Sequence, residues 1–203
     1  MAIIVGLTGG IGSGKSTVSQ YLQTRYQVAV VDADQLARSV VQPGQPAFNA
    51  IVDRFPAALR TDGALDRAWL RQHLLPDPEL KQWLEAQTHP PIRKAIQAQL
   101  AAHHAEPYLV LDAALLLETD LHQQCDLIVV VDVLPEQQLS RVAQRDGTAV
   151  AIIEEIMAQQ CGRAERLQKA DWIIDNTGSL SGLYQAADEL HQYVLSNDRD
   201  SKR

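Results

Sequence analysis

The feature that most constrains this chain is a glycine-rich segment near its start, Gly9-Gly10-Ile11-Gly12-Ser13-Gly14-Lys15-Ser16. It follows a β-branched apolar run, Ile3–Leu7, and precedes a segment with helical spacing, so it should connect a strand to a helix. In that setting the pattern G-x-x-x-x-G-K-[ST] turns backbone N–H groups around a phosphate, and the following helix directs its positive N-terminal end at the same anion. The segment therefore predicts a nucleoside triphosphate site.

Individual positions of this phosphate loop have distinct expected roles. Lys15 should place its charge over the β- and γ-phosphates, and the Ser16 hydroxyl should ligate Mg²⁺. The residues expected to contact the nucleotide are Gly10, Ile11, Gly12, Ser13, Gly14, Lys15, Ser16 and Thr17. Such loops serve switches, motors, transporters and kinases, but the sequence has no Asn-Lys-x-Asp motif for guanine. The switch interpretation is therefore disfavoured, and other residues must indicate the use of the phosphate.

The apolar runs predict an α/β fold with a parallel sheet and helices on both faces. After Ile3–Leu7, further runs follow at Val28–Val31, Leu109–Leu111, Leu127–Val131 and Trp172–Ile174. They are almost wholly apolar rather than alternating, which is typical of parallel strands covered on both faces. Residues 35–106 contain no convincing strand and show helical spacing, so we expect an inserted helical lobe between residues 1–34 and 107–203. Pro and Gly clusters, including His89-Pro90-Pro91, should mark helix breaks inside that lobe.

Composition excludes several classes of function. The formal net charge of -7 and the pI of about 5.3 argue against a nucleic-acid or membrane-surface binder, because such proteins attract phosphates with a basic field. Cys125 and Cys161 form no CxxC pair, which suits inert thiols in a reducing compartment. The start of the chain lacks a basic n-region, and no apolar run is long enough to span a bilayer. We expect a cytoplasmic protein.

Two carboxylates follow the second predicted strand, at Asp32 and Asp34. Ligands of α/β folds bind at the carboxyl ends of the strands, so both should lie on the same sheet edge as the phosphate loop. One carboxylate could orient an attacking hydroxyl or accept its proton while the other holds Mg²⁺. Alternatively, one of the two Asp residues only caps the helix predicted from Gln35 to Val41.

Two arginines, Arg141 and Arg145, lie four residues apart after the fourth predicted strand. On a helix this spacing places both on one face. Preorganised cations of this kind stabilise charge on a transferred phosphoryl group, which is the role of lid arginines. A solvated helix face is the competing interpretation.

Several segments together resemble the dephospho-coenzyme A kinase family over nearly the whole chain. They are Leu7–Thr17, Val31–Arg38, Gln42-Pro43-Gly44, Asp62–Arg67, His89–Arg93, Leu115–Glu118, Gln138 with Arg141 and Arg145, and Ala170–Gly178. The sequence departs from the family's usual glycine at Gln27.

This resemblance implies a five-stranded P-loop kinase core, a helical acceptor lobe and a lid at about residues 141–166. It further implies transfer of the ATP γ-phosphate to the ribose 3′-hydroxyl of dephospho-coenzyme A, with Asp34 as base or orienter. Catalytic roles extend to Lys15, Arg141 and Arg145, acceptor binding to Asp32, Arg38, His89 and Arg93, metal binding to Ser16 and Asp32, and nucleotide binding to Asn176.

Two rival functions share the phosphate loop. A nucleoside or nucleoside-monophosphate kinase would differ only in its acceptor, and the segments Asp32-Ala33-Asp34 and His89–Arg93 argue against it. A regulatory P-loop NTPase would hydrolyse ATP without phosphorylating an acceptor. Release of ADP that depends on dephospho-coenzyme A separates the kinase from both.

Overall fold

A computed structural model describes the backbone of residues 1–201 and the side chains of residues 1–197. Backbone contacts divide the chain into two compact units. The first comprises Met1–Asp32 with Ala102–Arg203, and the second comprises Ala33–Ala101. Each unit is described by itself below.

The first unit is built on a parallel sheet, as predicted. Within the described residues its five strands are β1 (Ile3–Thr8), β2 (Ala29–Asp32), β3 (Tyr108–Asp112), β4 (Leu127–Asp132) and β5 (Trp172–Asp175), in the order β2-β3-β1-β4-β5. Strand β1 is central and carries the phosphate loop at its carboxyl end. Because all pairings are parallel, the aspartates that end the other four strands share that edge.

The helices in the described chain are α1 (Lys15–Tyr26), α2 (Ala33–Ser39), α3 (Pro46–Arg54), α4 (Arg67–His73), α5 (Pro78–Ala102), α6 (Pro135–Asp146), α7 (Val150–Gln159), α8 (Arg163–Lys169) and α9 (Leu180–Ser201). Short 3-10 turns lie at Pro56–Ala58 and Asp120–Gln124. Apolar side chains of α1 and α9, such as Leu22 and Leu190, are fully buried with strand residues such as Val5 and Val129. Burial of each such side chain contributes about 1.5–3 kcal/mol, and this core holds the sheet edge in place.

The second unit is helical and contains an aromatic cluster. Phe55 contacts Trp69 and Trp83 at ring-centroid distances of 6.2 and 5.4 Å. The Arg54 guanidinium lies 4.5 Å from the Trp83 ring centroid. Edge-on ring contacts and cation–π contacts of this kind add to the stabilisation from burial alone.

One predicted helix break inside this unit is wrong. Helix α5 continues through Pro90 and Pro91, although a proline normally interrupts a helix because it lacks an N–H and crowds the preceding turn. A proline removes only the hydrogen bond of its own nitrogen. In a helix of 25 residues, the bonds on both sides of that turn keep the two halves joined. His89 therefore lies in the interior of α5.

The departure from the family pattern at Gln27 has a conformational cost. Gln27 caps α1 with φ 57° and ψ 28°, the only positive φ at a non-glycine position in the described residues. Left-handed backbone costs an L side chain roughly 1–2 kcal/mol, and glycine relieves this cost while raising the entropy of the unfolded chain. We expect Gln27→Gly to raise the free energy of unfolding by about 0.5–1 kcal/mol, measured by urea denaturation. Unchanged or lower stability would contradict this account of the cap.

The described residues contain no helix with the length and apolarity needed to cross a membrane. Both cysteines are free thiols. Burial raises the pKa of the Cys125 thiol to about 12, and burial together with the neighbouring Glu165 raises the pKa of Cys161. Both thiols therefore stay protonated near neutral pH, the unreactive form of cysteine.

Candidate active site

The phosphate loop joins β1 to α1 in a conformation that only glycine adopts easily. Gly12 and Gly14 have φ values of 73° and 91°, in the left-handed region. Neither position has space for a side chain. A Cβ on Gly12 would lie 2.9 Å from Cγ2 of Val142, and one on Gly14 would collide with the Asn176 amide. The loop glycines are thus required both by backbone conformation and by close packing.

Lys15 opens α1 and forms an ion pair with Asp112, the last residue of β3. The two side chains are 13% and 5% exposed, so the pair is shielded from water. Burial raises the pKa of the Asp112 carboxyl, and Lys15 opposes that shift by stabilising the charged form. The pair holds the Lys15 ammonium at the loop, where a phosphate would compete with Asp112 for it.

A second carboxylate lies beside Asp112 on the sheet edge. Asp32 ends β2 and is in register with Asp112. Its charge raises the pKa of Asp112, which means that the two carboxylates repel each other. Carboxylate oxygens are ligands that Mg²⁺ accepts, and a cation here would relieve the repulsion. The Ser16 side chain is exposed in the first turn of α1, where it can meet a ligand.

Asn176 is buried and braces the phosphate loop directly. Its Nδ2 donates to the Ser13 carbonyl oxygen at 2.7 Å, and its backbone N–H donates to the Asp132 carbonyl oxygen at 2.8 Å. It follows β5 in sequence, so it connects the far side of the sheet to the loop. This contact holds the loop whether or not Asn176 also meets a nucleotide.

Arg141 and Arg145 both lie on α6, but they have different surroundings. Nη2 of Arg141 donates to the Asn176 carbonyl oxygen at 2.9 Å. Arg145 is 65% exposed and forms two hydrogen bonds to the Asp146 carboxylate, each 2.7 Å long. The Asp146 carboxylate raises the pKa of Arg145. The two guanidinium groups therefore bind different partners. The contact of Arg145 with a neighbouring exposed carboxylate is what the solvated-face interpretation predicts.

Three side chains that sequence reasoning did not assign to catalysis pack against the phosphate loop. Gln138 Nε2 donates to the Ile11 carbonyl oxygen at 2.7 Å, and Gln160 Oε1 accepts from the Ile11 N–H at 2.9 Å. A Cβ on Gly10 would collide with Gln138 and lie 2.9 Å from Nη2 of Arg166. The sequence does carry a signal that could have indicated such residues: Gln160, Arg163 and Arg166 are polar residues spaced three apart inside the expected lid.

An ion pair that the sequence analysis did not predict joins α8 to the end of β4. The Arg163 guanidinium binds the Asp132 carboxylate through Nε and Nη2, at 2.9 and 2.6 Å. This side-on geometry with two donors is the strongest form of the arginine–carboxylate contact. The Asp132 carboxylate raises the pKa of Arg163. Arg163 is thus neutralised by a protein carboxylate.

The other predicted site residues belong to the helical unit. Asp34 is half-buried in the first turn of α2, and Arg38 is exposed in its last turn. The helix predicted from Gln35 to Val41 instead runs from Ala33 to Ser39, so Asp34 lies inside its first turn and does not cap it. The helix dipole favours a carboxylate in that turn. His89 and Arg93 are exposed on α5, four residues apart and hence on one face.

Comparison with protein families gives one match over most of the chain. The profile of the family described as "Dephospho-CoA kinase" matches residues 3–182. A protein named dephospho-CoA kinase from Acinetobacter baylyi is 46% identical over 195 residues, covering 96% of this chain and 99% of the relative. One of the same name from Vibrio vulnificus strain YJ016 is 42% identical over 203 residues, covering all of both chains.

Solved structures agree with this match. A dephospho-CoA kinase from Campylobacter jejuni superposes with a TM-score of 0.72 at 25% identity, covering 98% of this chain and all of that one. The protein TT1252 from Thermus thermophilus superposes with a TM-score of 0.84 at 31% identity, covering 95% and 97%. A shikimate kinase from Acinetobacter baumannii, at 16% identity and a TM-score of 0.54, covers 97% and 95% and shares the fold.

Proposed function

The chain belongs to the dephospho-CoA kinase family, and we propose that its phosphate loop and Asp34 carry out the family's reaction. That reaction is phosphorylation of dephospho-CoA by ATP in coenzyme A synthesis. The observation that supports the assignment of the loop is its geometry: two left-handed glycines, Gly12 and Gly14, lead into α1 with Lys15 at the first helical position.

Phosphoryl transfer needs few covalent changes. The ribose 3′-hydroxyl oxygen forms a bond to the γ-phosphorus, and the bond from that phosphorus to the β–γ bridging oxygen breaks. The electron pair of the broken bond leaves with ADP, and the hydroxyl proton passes to the Asp34 carboxylate and then to solvent. Because the transition state is loose, the carboxylate's main task is to orient the hydroxyl in line with the leaving oxygen.

The nucleotide is proposed to bind along the loop. Backbone N–H groups in the first turn of a helix are suited to bind an anion, and the helix dipole favours one there. Lys15 exchanges its contact with Asp112 for the β- and γ-phosphates. The full proposed set is Gly10, Ile11, Gly12, Ser13, Gly14, Lys15, Ser16, Thr17 and Asn176.

The acceptor is proposed to bind through Asp32, Arg38, His89 and Arg93. Three of these side chains, those of Arg38, His89 and Arg93, are exposed and are therefore able to meet a ligand. Dephospho-CoA carries a diphosphate, and guanidinium groups are well suited to bind phosphate oxygens with two donors at once. The Asp32 carboxylate is suited to accept a hydrogen bond from a ribose hydroxyl.

Mg²⁺ is proposed to be held by the Ser16 hydroxyl and the Asp32 carboxylate. Oxygen ligands of this kind fit Mg²⁺, which binds through one or two protein ligands together with substrate phosphates. The repulsion between Asp32 and Asp112 supports a cation at this edge of the sheet. When bound, the metal neutralises charge on the phosphates.

A cytoplasmic location and the absence of nucleic-acid partners belong to the same proposal. Two free, protonated thiols suit a reducing compartment. The net charge of -7 disfavours association with nucleic acid.

Arg141 and Arg145 remain proposed as catalytic cations. If both meet the phosphoryl group after the lid closes, Arg141→Ala and Arg145→Ala should each lower kcat more than ATP affinity, because contacts made only in the transition state act on kcat. The double variant should show less than the sum of the two effects. The measurement is steady-state kinetics together with ATP binding by calorimetry. Unchanged kcat and KM for Arg145→Ala would assign Arg145 to the solvated helix face.

The function is tested by a coupled ADP assay over five acceptors: dephospho-CoA, adenosine, AMP, CMP and shikimate. We expect ADP release that depends on dephospho-CoA. Turnover with AMP or CMP instead would indicate a nucleoside-monophosphate kinase, and equal ADP release without any acceptor would indicate a regulatory NTPase.

A further inference from the structure

Arg166 is a buried cation on α8. The residue is only 8% exposed, although arginine is almost never buried without a partner. Its recorded hydrogen bond runs from Nη1 to the Cys161 carbonyl oxygen. The ion pairs recorded for the part of the chain with described side chains do not include Arg166. A guanidinium has five N–H donors and a full positive charge, and one carbonyl oxygen does not neutralise it.

Arg163, one helical turn earlier, provides the internal contrast. It is more exposed than Arg166, with a side chain 38% accessible, and the Asp132 carboxylate neutralises it. Arg166 is therefore more buried than Arg163, yet it has no carboxylate partner among the described side chains. The opposite assignment of the carboxylate would be expected from the cost of burying a charge. Burying an uncompensated charge costs several kcal/mol. An arrangement with that cost is stabilised when an external anion binds next to the charge.

The position of Arg166 indicates which anion it could meet. Nη2 lies so close to the phosphate loop that a Cβ on Gly10 would be 2.9 Å from it. Gln138 and Gln160 bind the two sides of the Ile11 peptide, so the loop backbone beside Arg166 is held in place. Lys15 and the N–H groups of α1 are proposed to bind the β- and γ-phosphates. In the loose transition state, negative charge is spread over the equatorial oxygens of the transferred γ-phosphoryl group, and an arginine beside them stabilises that charge.

We propose that Arg166 is a catalytic residue whose guanidinium binds the γ-phosphoryl group of ATP during transfer. The proposal deepens the kinase assignment and depends on it for the transfer step. In that step, Arg166 donates hydrogen bonds to phosphoryl oxygens and gains no proton or electron, so the bond changes given above are unaltered. Gln138 and Gln160 act as positioning residues, because they contact the loop and not the phosphate.

The test uses two variants of the full chain and one matched control. Arg166→Gln removes the charge, Arg166→Lys keeps the charge without the planar fork, and Lys169→Gln removes an exposed cation from the same helix. Lys169 forms a surface ion pair with Glu165. Single-turnover transfer from labelled ATP to dephospho-CoA should slow by at least about 10²-fold in Arg166→Gln, the effect of losing one preorganised donor. Arg166→Lys should retain an intermediate rate, and Lys169→Gln should match the parent protein.

Nucleotide-binding measurements distinguish a contact with the γ-phosphate from contacts with the rest of the nucleotide. Affinities for ADP and for a non-hydrolysable ATP analogue are measured by calorimetry. We expect Arg166→Gln to weaken the analogue by a larger factor than ADP. Equal weakening of both, or an unchanged transfer rate in a folded variant, would overturn the proposal.

Thermal melting with and without ADP checks the fold of each variant. If neither Arg166 variant melts cooperatively even with ADP, the buried guanidinium serves the fold and the proposal is wrong. If the parent protein fails to phosphorylate dephospho-CoA, the kinase assignment fails instead. The comparison of ADP with the ATP analogue then still decides whether Arg166 binds a γ-phosphate.

Discussion

Asp34→Asn is expected to slow phosphoryl transfer by roughly 10²–10⁴-fold, the usual range for general acid–base assistance, while ATP binding stays nearly normal. A carboxylate accepts a hydrogen bond from the attacking hydroxyl, and a loose transition state needs only orientation and late removal of the proton. Asparagine preserves size but loses the negative acceptor. The measurement is single-turnover transfer from labelled ATP to dephospho-CoA, alongside equilibrium ATP binding.

Two further variants sharpen this result. Asp53→Asn changes an exposed carboxylate on α3 of the same helical unit and should have no effect. Asp32→Asn should act differently from Asp34→Asn, by weakening the dependence on Mg²⁺ or the binding of the acceptor. Full activity of Asp34→Asn would move the base role to another group, with Asp32 as the first candidate. Loss of ATP binding would place Asp34 in the nucleotide site.

Lys15→Ala should lower kcat by at least about 10²-fold, because a preorganised cation over the β- and γ-phosphates is lost. The measurement is kcat from the coupled ADP assay, with Lys94→Ala as the control for an exposed lysine. Turnover close to that of the parent protein in folded Lys15→Ala would refute the assignment of the loop.

The same variant has a predictable effect on stability. Without Lys15, the buried Asp112 carboxylate loses the counter-ion that lowers its raised pKa. A group whose folded pKa lies above its unfolded value contributes stability at low pH and loses it as the pH rises through the folded pKa. Lys15→Ala should therefore become less stable than the parent protein as the pH rises from acidic to neutral. The double variant Lys15→Ala/Asp112→Asn, which lacks the carboxylate, should not show that extra loss.

Local signals in the sequence were sufficient for the sheet and the phosphate loop. The five apolar runs coincide with β1 to β5 to within one residue at each end, because parallel strands covered by helices are apolar along most of their length. The loop was recognisable because its glycines are needed for backbone conformation at fixed spacing. The dipeptide Pro90-Pro91 was misleading, since a local breaking tendency of two residues does not outweigh the hydrogen bonds of the long helix around it.

The sequence by itself determined the fold class, the phosphate loop and the family, since each depends on residue types at short, regular spacing. The tertiary structure decided which charged side chains face one another. Lys15 pairs with Asp112, Arg163 pairs with Asp132, and Arg166 lies against Gly10 with no carboxylate partner among the side chains of residues 1–197. These partners are far apart along the chain, and hydrophobic periodicity carries no information about which two distant polar groups will meet. Burial and distance, which only the folded chain has, distinguish a neutralised arginine from one positioned to bind a phosphate.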